Sequence, residues 1–228
     1  PLIENIENLY GYYWSPGADY IVYSVTEKFE DENKNLKKYS EMRDRLPWGR
    51  DNNFLYLADV KSSFKKRLTA GNMGTNFEDF NPDGSKIIFS STKQNISERP
   101  YSETGFYILD LENMRLDSLL TDRFLNDVYW GADPDKLLFL GGPSAFGRIG
   151  KNIPENKIPN DFDTQAFIYD LETNEVNPIT KDFKPKILSA KWNEPGKIYF
   201  SVLEESFNVL YQYNIDGNEF VKVDIGVE

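Results

Sequence analysis

Short apolar and aromatic runs alternate along this chain with clusters of Pro, Gly, Asp and Asn. The stretch FNPDGSKIIF, Phe80 to Phe89, sets the type: an aromatic, a polar reversal, then a strand that ends in an aromatic. Three relatives keep the same order. They are WSPGADYIVY from Trp14, WGADPDKLLF from Trp130 and WNEPGKIYF from Trp192. The aromatic-to-aromatic offset is nine residues in three copies and eight in the fourth. In the clearest copy Pro82 presets φ for a turn, Asp83 supports the reversal and Gly84 accepts a positive φ.

A second phrase follows each first one: LYLADVKSSFKKRLT, YILDLENMRLDSLLT, FIYDLETNEVNPIT and YQYNIDGNEFVKVDI. A strand ends at Asp59, Asp110 or Asp170, or at an Asn-Ile in the last copy. A polar turn and another short strand come next, and in three copies that strand closes in Leu-Thr or Ile-Thr. Each unit thus predicts four strands with period-two alternation between recognisable reversals. The leading aromatics stand 66, 50 and 62 residues apart, whereas a four-stranded propeller blade takes roughly 40–50 residues. The excess falls in 27–53, 91–105 and 141–163, each between the second and third strands. All three insertions are therefore expected on one face, where repeat proteins often build a binding surface. The expected fold is all-β: a β-propeller of four-stranded antiparallel blades at roughly 9–70, 76–122, 124–181 and 184–226. Four pairs of hairpins in a sandwich are the alternative. Two ordered phrases recurring four times favour blades. In that frame Trp14, Phe80, Trp130 and Trp192 are expected to pack between adjacent blades.

Composition narrows the chemistry. The chain has 228 residues, 15% of them aromatic, and neither cysteine nor histidine. No disulfide framework, Cys-based metal site or Ser-His-Asp triad can be built from it. The net charge of −11 would repel a phosphate backbone, so nucleic acid is not an expected partner. No apolar run approaches the roughly 20 residues of a membrane span. The sequence opens Pro1-Leu2-Ile3 without Met and shows no signal peptide, as expected of a trimmed or mature segment. A periplasmic or secreted bacterial location is favoured over a cytoplasmic one.

The repeat resembles the WD40-like signature of TolB and prolyl-oligopeptidase propellers, W-S-P-D-G-x-x-I-x-F followed by I-Y-x-x-D-L and L-T. The opening, WSPGADYIVYSVTEKFEDENKN followed by NFLYLADVKSSFKKRLTAGN, is similar to the first blade of the acylaminoacyl-peptidase-like branch. The resemblance covers nearly the whole chain at repeat level. It implies a larger propeller of six to eight blades that accompanies an α/β-hydrolase domain and gates peptide access to it. That domain's G-x-S-x-G elbow, Asp and His are not in this chain. The nearest string, Gly142-Pro143-Ser144-Ala145-Phe146, lacks the final Gly and reads as a loop. In the dipeptidyl-peptidase branch an arm presents paired glutamates; here Glu41 stands alone, and no substrate-binding residue carries over. A TolB-like protein-binding scaffold without chemistry is the second implication. Four blades of an open ring would expose strand edges and favour a homodimer.

Other strings carry less. Gly147–Asn152, GRIGKN, has Ala145 and Asn152 where a phosphate loop needs Gly and Ser or Thr. The acidic FEDEN, Phe29 to Asn33, lacks the spacing and Gly of a calcium loop. Neither cofactor nor metal is expected. Trp48, in a polar segment, is expected to cap the first blade by packing, or to meet a partner. Asn95-Ile96-Ser97 is a glycosylation sequon. A free-standing propeller glycosidase would need two channel carboxylates, about 5 Å apart in a retaining enzyme, and no such pair is legible.

Overall fold

The computed structural model describes residues 4–29, 39 and 42–224. Sixteen strands form four antiparallel sheets, each of four strands in chain order. Blade 1 holds β1 (Leu9–Trp14), β2 (Tyr20–Glu27), β3 (Asn52–Asp59) and β4 (Lys65–Arg67). Blade 2 holds β5 (Asn76–Phe80), β6 (Lys86–Gln94), β7 (Ser102–Asp110) and β8 (Leu116–Asp122). Blade 3 holds β9 (Leu125–Trp130), β10 (Lys136–Gly141), β11 (Gln165–Asp170) and β12 (Val176–Pro178). Blade 4 holds β13 (Lys186–Glu194), β14 (Lys197–Glu204), β15 (Phe207–Asn214) and β16 (Glu219–Val223).

The blades stack face to face. Val22, Leu55 and Leu57 of blade 1 share a core with Phe80, Ile87 and Phe89 of blade 2. Ile88 and Phe106 of blade 2 join Val128, Trp130 and Phe139 of blade 3. Leu138, Leu140 and Ile168 of blade 3 join Ala190, Trp192 and Phe200 of blade 4. Each strand sends alternate side chains to opposite faces, so one sheet serves two cores. Among the described residues no such core joins blade 4 to blade 1, and the four blades form an arc. The first strands are neighbours, β5 beside β9 and β9 beside β13. They form the inner side of the arc.

Antiparallel order divides the connections between two faces. Those from first to second and from third to fourth strand are tight turns on one face. Those from second to third strand, the described parts of 28–51 with 95–101, 142–164 and 205–206, emerge on the other. They are joined there by the links from each blade to the next. The ends of the stretch 91–105 belong to β6 and β7, which leaves 95–101 as connection.

Candidate functional site

The repeated positions have structural duties. Asp59 Oδ1 accepts the Ser62 N–H at 2.6 Å. Asp110 accepts those of Glu112 and Asn113, and Asp170 those of Glu172 and Thr173. These backbone donors, from Ser62, Asn113 and Thr173 first of all, hold each carboxyl below its ordinary pKa. Four residues after each aspartate the chain turns left-handed, at Ser63, Met114 and Asn174. In the first turn of blade 2, Asp83 Oδ1 accepts the Ser85 N–H at 2.8 Å. Gly84 there has φ 76°, and a Cβ on it would sit 3.4 Å from Pro16, in the corresponding turn of blade 1. Pro82 and Asp83 are therefore punctuation.

The aromatic of each first strand packs backwards, onto the preceding blade, and the residue before it reaches forwards. Phe80, Trp130 and Trp192 are buried in this way. Tyr13 stacks on Phe77 at 4.2 Å, Asp79 Oδ2 accepts the Trp130 N–H at 2.8 Å, and the Tyr129 hydroxyl accepts the Ala190 N–H. Trp14 departs from the expected interblade packing. It is 52% exposed, because no described blade lies on the side it faces.

Sequence reasoning missed a carboxylate group on the inner strands. In a regular strand the neighbours Glu78 and Asp79 would point to opposite faces. A bulge between Phe77 and Asp79 makes Glu78 the extra residue and aims both at blade 3. Glu78 accepts the Val128 N–H and the Ser90 hydroxyl, one residue pair away from Asp79 on Trp130. The two carboxyls thus satisfy the free backbone edge of β9. Desolvation first, with Asp127 nearby, pushes Glu78 up to about 7. Desolvation also raises Asp79 and takes Tyr129 up to about 12. These acids are committed to holding a strand edge. Among the described residues no group of acidic side chains is placed to bind a metal ion.

The connection face has a different character. Ten large apolar side chains on its described connections are exposed, among them Trp48 at 64%, Ile158 at 95% and Phe162 at 85%. On the opposite turns only Phe64 is exposed. Trp48, expected to pack, stands in solvent. Charge divides in the same way. The tight turns carry eight acidic and two basic residues, and the described connections carry eight acidic and eleven basic. Side-chain bonds pin the connections 95–101 and 142–164. Arg123 pairs with Glu98 and Glu103, and Asp122 accepts the Phe146 N–H at 3.0 Å. Asp161 takes both the N–H and hydroxyl of Ser144, at 2.8 and 2.9 Å. Ser144 therefore braces a loop. Lys151 of the GRIGKN string is neutralised by Asp163. Asn95 accepts the Ser97 N–H and hydroxyl within its own turn. Glu41 and all of FEDEN but Phe29 lie outside the described residues.

Four-stranded blades stacked around inner first strands define the class: this is a β-propeller fold. Solved structures share it. The β-propeller domain of the trilobed protease from Pyrococcus furiosus is 19% identical with a TM-score of 0.56, over 96% of this chain and 57% of that one. Putative TolB from Agrobacterium tumefaciens is 12% identical with a TM-score of 0.58, over 92% and 62%. Oligogalacturonate lyase from Vibrio parahaemolyticus is 12% identical with a TM-score of 0.60, over 97% and 55%. The chain spans roughly three-fifths of the length of these structures. No family model and no curated protein matches it. Likeness at this identity establishes the fold. A protease propeller, TolB and a lyase all carry it, so function must be argued from the surface.

Proposed function

We propose that this chain is the non-catalytic propeller region of a prolyl-oligopeptidase-type serine peptidase, whose connection face gates peptide access to a hydrolase domain. The concentration of exposed apolar side chains on that one face carries the reading. A soluble protein rarely leaves so many apolar residues clustered at one end without a partner. The absence of histidine leaves Ser144 and Asp161 without a general base of the usual kind, so hydrolysis belongs to the other domain. The fold shared with a protease propeller supports this reading, and the fold shared with TolB supports a second one. In that reading the same face binds a protein partner and no chemistry is coupled to it.

The gene beyond residue 228 separates the two. An open reading frame with G-x-S-x-G, then Asp, then His over a domain length is expected under the first. That domain, made separately, should associate with this chain. Association should weaken several-fold on Trp48→Ala and be unaffected by Phe64→Ala on the opposite face. A stop codon at 228 would sink the peptidase reading and leave the scaffold. Assayed alone on short peptides, this chain should turn over nothing; sustained turnover that tracks the purified protein would overturn both.

A further inference from the structure

Within the connection face one pocket has a defined chemistry. It is an open cavity of about 360 Å³ at blade 3, lined by Phe124, Ser144, Arg148, Glu155, Lys157 and Ile158 among others. Its walls are stiff. A Cβ on Gly142 would come within 2.7 Å of the Asp161 side chain, and one on Gly150 within 2.8 Å of Pro143. Phe146, Gly147 and Arg148 are left-handed in succession, at φ 51°, 75° and 72°, a conformation that costs about 1–2 kcal/mol for each non-glycine residue. Backbone strain of this kind persists only where surrounding contacts impose it. Here the Phe146 N–H on Asp122 and the Arg148 guanidinium on the Lys157 carbonyl, at 2.8 Å, impose it.

The pocket's lining carries two cations, Arg148 and Lys157, and one acid, Glu155. Neither Arg148 nor Lys157 forms an ion pair with a described residue. Of the neighbouring acids, Asp163 is paired with Lys151, and Asp161, outside the lining, spends its two oxygens on the N–H and hydroxyl of Ser144. Glu155 is the remaining acid on the rim. Ile158, beside Lys157 in the lining, stands almost wholly in solvent.

We propose that this pocket binds a peptide segment that carries a carboxylate next to an apolar side chain. The proposal rests on the connection face being the partner surface and says which chemistry that partner brings. Arg148 and Lys157 hold the carboxylate as charge-assisted hydrogen-bond donors, and Ile158 with Phe124 receives the apolar group. The carboxylate can come from a Glu or Asp side chain or from a C-terminus.

Fluorescence polarisation with labelled peptides tests it. One peptide carries Leu-Glu with an amidated C-terminus, a second replaces Glu by Gln, and a third has Leu at a free C-terminus and no acidic side chain. The first or third is expected to bind, and which one does identifies the carboxylate source. The Gln peptide should bind at least tenfold more weakly than the Glu one if the side chain is the source. Binding should fall as salt rises. Arg148→Gln combined with Lys157→Gln should weaken it at least tenfold, and Lys157→Gln, which keeps the Arg148 brace, should weaken it with an unchanged melting curve. Lys157→Gln alone serves if the pair does not fold. Phe64→Ala, on the opposite face, should leave it unchanged. Loss of binding with Trp48→Ala but not with the pocket variants would place the peptide elsewhere on the face and overturn the pocket while keeping the face. Equal binding of Glu and Gln peptides with none of the free C-terminus, no binding by any peptide, or displacement by inorganic phosphate as effective as by unlabelled peptide would each overturn it.

Discussion

At the scale of single residues, the two buried tryptophans show how one turn residue sets a hydrogen bond. Trp130 Nε1 donates to the Pro134 carbonyl at 2.7 Å. The equivalent turn after Trp192 is one residue shorter, and the Trp192 indole N–H is buried with no acceptor. The two rings fill matching places between blades, so Trp→Phe removes similar volume from each. Trp130→Phe should therefore cost about 1 kcal/mol more than Trp192→Phe, the net worth of an ordinary hydrogen bond. Urea unfolding of the two variants decides this, and equal losses would mean that the indole bond adds nothing.

At the scale of the element, the Leu-Thr and Ile-Thr endings acquire a purpose. As the fourth strand leaves the sheet, Thr69 Oγ1 accepts the Leu55 N–H at 2.8 Å and Thr180 Oγ1 accepts that of Ala166 at 2.9 Å. Each hydroxyl continues a ladder that the backbone has abandoned. Thr69→Val and Thr180→Val strand a buried donor and should each cost about 1–3 kcal/mol. Thr121 lies within β8, which stays paired to β7, so Thr121→Val should change stability by less than about 0.5 kcal/mol. A loss at Thr121 as large as at Thr180 would refute this division of labour. The β5–β9 clasp makes a second element-scale prediction. The folded pKa of Glu78, about 7, lies above its ordinary value of 4.5. Folding thus favours the protonated acid. The stability this group supplies is complete below pH 4.5 and is lost as pH rises through 7. Glu78→Gln keeps an acceptor for the Val128 N–H without the charge. Its melting temperature should match wild type near pH 5 and exceed it at pH 8.5, by an amount equivalent to about 3 kcal/mol. Parallel pH profiles for the two proteins would refute it. The acids facing Glu78 are Asp79 and Asp127, the cation beyond Asp79 is Lys191, and Tyr13 and Tyr129 stand alongside.

At the scale of the molecule, the arc leaves one interblade face open. Trp130→Ala should cost about 3–5 kcal/mol, as expected for a large buried aromatic. Trp14→Ala, at the same repeat position but half exposed, should cost the isolated chain about 1 kcal/mol or less. Tyr10 and Tyr12 lie exposed beside Trp14, and if copies of this chain associate, this is the surface expected to carry the contact. Sedimentation should show a concentration-dependent dimer that Trp14→Ala weakens. If the dimer survives the substitution undiminished, association lies elsewhere.

The strands, their grouping in fours and the side on which the long connections emerge were all legible in the sequence. They depend on local reversals and period-two alternation, which Pro82, Gly84 and the recurrent aspartates write into the chain itself. The stacking of Phe80, Trp130 and Trp192 was legible for the same reason, since each repeats the same local context. What Trp14 does was not, because whether an aromatic is buried depends on what stands opposite it. Glu78 stayed hidden because a bulge, unmarked by any turn residue, reverses its direction. The Arg148–Lys157 pocket stayed hidden as well. It arises only when a corner after β8 and a connection more than twenty residues later are brought together, and that depends on the pairing of β9 with β10 and on the bonds from Gly142 to Phe124 and from Phe146 to Asp122.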